Sequence, residues 1–182
     1  MSLFGNLFKK KEKPQEPEKP HIDTPWGPLY YNGIKYNKFE YEGMINWYDD
    51  DFEQCDIMIE CNEEGSDDMS RGFEKFTQIM NDKVNIDYQV KMTILDHFAD
   101  ESGLVMSESN KMLMSKNCFL DTMPIKTISI LRDGRVIFDI YDCDIHDVES
   151  VMLITGDNIP AQVKVLYDDD ENPMDFYNYW SL

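Results

Sequence analysis

The chain has 182 residues, of which 42% are hydrophobic and 13% aromatic, so its composition excludes a disordered protein and predicts a folded domain. It contains 36 Asp and Glu against 17 Lys and Arg, which gives a formal net charge of −19. Nucleic-acid binding depends on basic patches that neutralise phosphates, so this acidity argues against DNA or RNA as a direct partner. The charge favours a basic protein as partner instead.

Residues 1–23 differ in composition from the rest and are predicted to form a basic, Pro-containing flexible leader. The first twenty residues hold five Lys and three Glu, which leaves 12 basic and 33 acidic residues, a net charge of −21, for the remainder. Residues 3–13 also fit contact with an anionic membrane surface, because lysines follow apolar side chains at helical spacing. Those apolar side chains are Leu3, Phe4, Leu7 and Phe8.

The sequence shows neither a secretory signal nor a membrane-spanning segment. The apolar start is shorter than the core of a signal peptide, and no run approaches the about 20 apolar residues of a membrane span. The four cysteines lack the CxxC spacing of metal and redox motifs and fit reduced thiols. We therefore expect a cytoplasmic protein.

Residues 24–182 are predicted to form a single acidic α+β domain that ends in an aromatic tail. Its first section contains three strand-like runs, at 29–31, 39–47 and 55–61. Asn32-Gly33 predicts a hairpin turn, because both residues tolerate the positive φ that a type I′ turn requires.

The middle section changes to helical periodicity. Apolar residues at spacings of three and four predict one helix over 69–80 and a second over 84–101. Gly103 is the candidate residue that ends the second helix. Ser107 is a candidate cap for a short third helix over 107–114.

The final section returns to strands, at 125–131, 136–141, 148–155 and 161–167, with Asp133-Gly134 as a second hairpin turn. The segregation of strands and helices predicts an α+β fold rather than alternating βαβ units. We expect an antiparallel sheet or sheets from the N- and C-terminal sections, with two to three helices from the middle packed on one face.

The best candidate for chemistry is the segment 142–147. If it is extended, Asp142, Asp144 and His146 lie on one face, with about 7 Å between neighbours. Carboxylates and an imidazole so placed could bind a divalent metal or act as a general acid and base. The alternative is a solvated polar loop after a strand, and the spacing matches no closed metal site. No catalytic residue and no cofactor is therefore predicted.

Aromatic residues are enriched at protein interfaces, and the three tryptophans Trp26, Trp47 and Trp180 are candidate partner-binding residues. Trp180 belongs to an aromatic cluster near the C-terminus, with Phe176, Tyr177 and Tyr179. This cluster either docks on the domain or contacts a partner.

Three sequence patterns, with the two-helix middle between the second and third, indicate a family relationship. They are TPWGPL at 24–29, FEYEG at 39–43 leading to Trp47, and ISILRDGRVIF at 128–138. In this order they resemble the bacterial family catalogued as domain of unknown function 2262. That family usually shows a Phe-Trp-Gly-His type sequence where this chain has Asp-Ile-His-Asp at 144–147. The resemblance implies an α+β bacterial cytoplasmic domain and no assigned activity.

Three functional hypotheses from different classes remain open. The leading one is a non-enzymatic acidic protein-interaction domain, for example one that binds a basic partner as an immunity protein does. The first alternative is a metal-dependent enzyme that uses Asp142, Asp144 and His146. The second is a peripheral membrane adaptor anchored by residues 3–13. The sequence leaves the oligomeric state open.

Overall fold

The structure is a computed structural model that describes residues 20–35, 38–48, 54–63 and 66–167. Several predicted features lie outside these residues. They are the leader up to residue 19 with Leu3, Phe4, Leu7 and Phe8, and the aromatic tail from residue 168 with Trp180.

Ten strands and two α-helices occupy the described ranges, together with two short 3₁₀ helices at Lys116–Cys118 and Leu120–Thr122. The strands are β1 (His21–Ile22), β2 (Leu29–Lys35), β3 (Lys38–Ile45), β4 (Cys55–Glu60), β5 (Leu104–Met106), β6 (Leu113–Ser115), β7 (Thr127–Ile130), β8 (Arg135–Tyr141), β9 (Val148–Gly156) and β10 (Ile159–Tyr167). The helices are α1 (Ser70–Asn81) and α2 (Lys83–Phe98).

Eight strands form one mixed sheet in the order β1-β2-β3-β4-β7-β8-β9-β10, and β5 and β6 form a separate hairpin. All neighbours in the large sheet are antiparallel except β4 and β7, which run parallel. A parallel connection needs a crossover of a dozen or more residues, and both helices and the β5–β6 hairpin lie in it. The predicted α+β class is confirmed, with two helices in the described ranges and a mixed rather than purely antiparallel sheet.

The helices cover one face of the large sheet, called the inner face below. Alternate residues of β4 point toward this face, and Cys55, Ile57 and Ile59 are fully buried there. The first helix, α1, crosses β4 and β7 so closely that a Cβ on Gly72 would lie 2.4 Å from Cγ2 of Ile59. Glycine at this position lets the helix backbone approach the sheet, and Phe76 fills the core beside it.

The two predicted helices form close to their expected bounds. One of them, α1, begins and ends one residue later than predicted. The other, α2, ends at Phe98, three residues early, because Ala99 has an extended backbone. Gly103, with a φ of 74°, lies in the turn before β5, so its assignment as the residue that ends α2 is wrong.

The predicted third helix over 107–114 is wrong, because this segment forms the turn and second strand of the β5–β6 hairpin. The hydroxyl of Ser107 does accept the backbone N–H of Asn110, as a helix cap would. It also donates to Oδ2 of Asp144 in the β8–β9 loop, and Val105 of β5 is buried in the core. These long-range contacts favour the hairpin over a short local helix.

Of the two predicted hairpin turns, one is confirmed. Asp133-Gly134 connects β7 to β8, with Gly134 at a φ of 88°. Asn32-Gly33 does not form a turn, because β2 continues through it and its register with β3 shifts between Tyr31 and Gly33. A bulge of this kind places an extra residue opposite one on the partner strand, which explains a glycine inside a strand.

Candidate functional site

The opposite face of the large sheet, called the outer face, has two halves with different chemistry. On β4, the residues that alternate with the inward Ile57 and Ile59 point outward, and their cross-strand partners share that face. The acidic half comprises outward residues of β2 to β4: Tyr30, Asn32, Glu40, Glu42, Met44, Asp56, Met58 and Glu60. The apolar half comprises Leu131 and outward residues of β8 to β10: Arg135, Ile137, Asp139, Tyr141, Ser150, Met152, Ile154, Gln162, Lys164 and Leu166.

An open groove of about 750 Å³ lies on the acidic half. Among the exposed large side chains, Met44 is 58% exposed and Tyr30 is 41% exposed. Carboxylates beside a phenol ring and thioethers favour a cationic side chain, whose apolar stem can lie on the methionines. The lining includes Tyr30, Glu42, Met44, Asp56, Met58 and Thr127.

Two glutamates next to the groove are buried and directly opposite each other. Glu40 on β3 pairs with Glu60 on β4, and both are less than one-tenth exposed. One carboxylate oxygen of Glu60 accepts the backbone N–H of Arg132 at 3.0 Å and lies 3.6 Å from its Nε. Like charges directly opposite on neighbouring strands repel each other, and Arg132 lies against one of these two carboxylates.

The apolar half contains one buried carboxylate, Asp139. The hydroxyl of Ser150 donates to its Oδ1 at 3.1 Å, and both residues are less than one-tenth exposed. Burial raises the pKa of the Asp139 carboxyl to about 6, although hydrogen bonds from Ser150 and the Ile140 backbone oppose the change. Both halves of the outer face therefore hold acidic groups, and the open groove lies on the acidic half.

The segment 142–147 is not extended. Asp142 and Asp147 have φ values of 58° and 59°, in the left-handed region, so alternate residues do not share one face. Asp144 turns back to the β5–β6 hairpin, where it accepts hydrogen bonds from the Ser107 hydroxyl and the Ser109 backbone, both at 2.7 Å. Burial opposes ionisation of Asp144, but these two residues lower its pKa on balance.

His146 lies instead beside Glu108 in the turn of the β5–β6 hairpin. Its Nδ1 is 2.6 Å from Oε2 of Glu108 and 3.1 Å from Oδ1 of Asp147. Hydrogen bonds from Lys111, His146 and the Asp147 backbone lower the pKa of Glu108 to about 2. The ligand atoms of Glu108, His146 and Asp147 lie within 4.8 Å of one another, a donor set that suits a divalent metal. Asp142 and Asp144 are not part of this group.

Two of the tryptophan candidates pack into or against the main core. The indole of Trp26 packs edge-on against Phe76 at 5.5 Å between ring centroids. Trp47 is 2% exposed, and its Nε1 donates to Oδ1 of Asp87 on α2 at 3.0 Å. This carboxylate also accepts from the Tyr48 hydroxyl at 2.9 Å, and its other oxygen lies 2.9 Å from the buried Lys91 ammonium. Trp47 therefore belongs to a buried polar network, and Trp180 lies outside the described residues.

Neither the groove as a binding site nor the contact of His146 with Glu108 was predicted from the sequence. The available signal for an acidic outward face was a pattern of alternate polar and methionine residues on two consecutive strands. These residues are Glu40, Glu42 and Met44 on one strand and Asp56 and Met58 on the next. No local pattern links Glu108 to His146, because they meet only when the hairpin and the β8–β9 loop pack together.

Comparisons with protein-family models, curated proteins and solved structures gave no match to this chain. Within the part of the chain that the structure describes, no helix combines the length and apolar character needed to cross a membrane. The assignment of a function therefore depends on the geometry and charge of the surfaces described above.

Proposed function

We propose that the protein is a cytoplasmic, non-enzymatic interaction domain that binds a basic partner protein through the acidic half of its outer face. The observation that supports this proposal is the groove where the exposed Tyr30 lies opposite Glu42 and the exposed Met44 lies opposite Asp56. The eight residues that define the acidic half include four carboxylates, those of Glu40, Glu42, Asp56 and Glu60. An immunity-like protein that masks a basic surface would need a face of this kind.

Binding would begin with long-range attraction. The chain after residue 20 has a net charge of −21, which accelerates encounter with a positive surface and weakens with added salt. In the complex, a Lys or Arg stem would lie on Met44 and Met58, while its charged end would contact Asp56 or Glu42. Tyr30 would add a flat aromatic contact of the type common at binding hot spots.

Site-specific photo-crosslinking in the native host tests this proposal. A benzophenone amino acid at position 44 should crosslink one basic protein, whereas the same probe at Val84 should not. Val84 is a matched control because it is 79% exposed on α2, away from the outer face.

Charge reversal supplies the second part of the test. Asp56→Lys should abolish the crosslink from position 44, and Glu74→Lys should leave it intact. Both variants change the net charge equally, but Glu74 is exposed on α1 rather than in the groove. Equal crosslinking in the two variants, or an acidic crosslinked protein, would contradict the proposal.

A metal-dependent enzyme is a second candidate, and the group formed by Glu108, His146 and Asp147 favours it. These three residues would bind a divalent metal, and Asp142 and Asp144 would not. Titration of the protein with Zn²⁺ or Mn²⁺ should show stoichiometric binding that is lost in His146→Ala and retained in Asp142→Asn. A parent protein without measurable binding would remove this candidate.

The membrane-adaptor alternative depends on residues 3–13, which lie outside the described residues. Liposome flotation with and without residues 1–20 tests it directly. Flotation of the full chain alone would support the adaptor, and identical behaviour of the two proteins would exclude it.

A further inference from the structure

The apolar half of the outer face contains a second hydrophobic cluster, separate from the main core. Its five members are all buried: Leu131, Ile137, Met152, Ile154 and Leu166. Ile137 and Met152 have no exposed surface at all, although they point away from both helices. Side chains on an uncovered sheet face stand in solvent, so this degree of burial requires a cover.

None of the described helices provides that cover. The buried residues of α1 and α2 belong to the main core, and the second cluster consists only of residues from the β7–β8 hairpin, β9 and β10. The polar neighbours Asp139 and Ser150 are buried on the same half. Burial of a carboxylate costs free energy, because the charged group loses its hydration. On an uncovered face water would solvate Asp139, so its burial also indicates a cover.

We propose that the C-terminal segment, residues 168–182, folds back over the apolar half and covers this cluster. The chain is well placed to do so, because β10 is the edge strand and ends at Tyr167, directly after the cluster member Leu166. The segment's 15 residues can span at most about 50 Å. The three strand spacings from β10 to β7 amount to about 14 Å.

The composition of the segment matches the surface beneath it. It begins with four acidic residues at 168–171, next to a half whose basic residues are Arg135 and Lys164. It then supplies large apolar side chains to cover the cluster: Phe176, Tyr177, Tyr179 and Trp180.

The N-terminal leader is less suited than the C-terminal segment to cover the second hydrophobic cluster. It joins the sheet at β1, the opposite edge, five strand spacings from β8. The residues that immediately precede β1 are Pro, Glu and Lys, and the apolar side chains at 3–8 lie more than ten residues away. The outer face would thus be divided between the chain's own tail and the open groove of the acidic half.

Photo-crosslinking within the intact chain tests this inference independently of any partner. A benzophenone amino acid at position 180 should crosslink within the same molecule, to peptides of β8, β9 or β10. A mixture of isotope-labelled and unlabelled protein separates crosslinks within one chain from those between copies. Crosslinks between copies, crosslinks to the helices, or crosslinks to the cluster from position 7 but not from position 180 would overturn the proposal.

Methionine oxidation by a dilute peroxide gives a second readout. In the full chain Met152 should react as slowly as Met80, which is buried on the inner face. Phe176→Ser with Trp180→Ser should accelerate oxidation of Met152 about tenfold and leave Met80 unchanged, because only the outer cluster loses its cover. Fast oxidation of Met152 in the parent, or unchanged protection in a folded variant, would refute the inference.

Discussion

Replacement of Asp139 by asparagine should stabilise the protein near neutral pH. Asp139 is 9% exposed on the outer face, and its carboxyl pKa is raised from 3.8 to about 6 by burial. Ionisation is therefore penalised in the folded state relative to the unfolded state. The substitution Asp139→Asn keeps the side-chain size and the acceptor for the Ser150 hydroxyl, but it removes the charge.

The magnitude follows from the difference in pKa between the two states. Below pH 3.8 Asp139 is protonated in both the folded and the unfolded state, so its ionisation does not destabilise the protein. The destabilisation grows as the pH rises and is complete above about pH 6. A shift from 3.8 to about 6 corresponds to about 3 kcal/mol at pH 7.5. At pH 5.0 the unfolded state is largely ionised and the folded state largely protonated, so the penalty is smaller, about 2 kcal/mol.

Urea denaturation of the parent and of Asp139→Asn at both pH values measures this effect. The stability advantage of the variant should be about 1 kcal/mol larger at pH 7.5 than at pH 5.0. Other carboxylates titrate equally in both proteins, so they cancel in this comparison. Asp142→Asn, at an exposed position where asparagine tolerates the positive φ, is the matched Asp-to-Asn control. A pH-independent advantage of Asp139→Asn would refute the reasoning.

Three further predictions test the packing of the inner face and the thiols. Asp87→Ala should lower the free energy of unfolding, measured by urea denaturation, by about 3–5 kcal/mol. The reason is that the ammonium of Lys91 stays buried and keeps, among the described residues, the Leu120 carbonyl as its hydrogen-bond acceptor. A loss below about 1 kcal/mol would show that Asp87 does not stabilise the buried Lys91. Gly72→Ala should destabilise the protein, although alanine is about 1 kcal/mol better than glycine inside a helix, because its Cβ would meet Ile59; a higher melting temperature would contradict the close approach. Of the four cysteines, only the exposed Cys118 should react rapidly with a thiol reagent in the folded protein, and two or more rapid thiols would disagree with the structure.

Several local features could be predicted from the sequence because they depend on neighbouring residues. Apolar spacing located both helices within a few residues of their bounds, since each buries one stripe against the sheet. Asp133-Gly134 identified the β7–β8 turn, because that turn requires a residue with positive φ. The same kind of signal was misleading at Asn32-Gly33, where the register between β2 and β3 absorbs the glycine as a bulge.

The composition and the local periodicities of this sequence determined its α+β class, its acidity and most of its strands and helices. Only the tertiary structure decided which distant residues meet. The parallel pairing of β4 with β7 joins sections that are more than 60 residues apart, and it creates one outer face from both. His146 contacts Glu108 rather than Asp142 because a left-handed turn and the β5–β6 hairpin redirect its segment. Such contacts depend on packing between elements, which no local pattern of residues specifies.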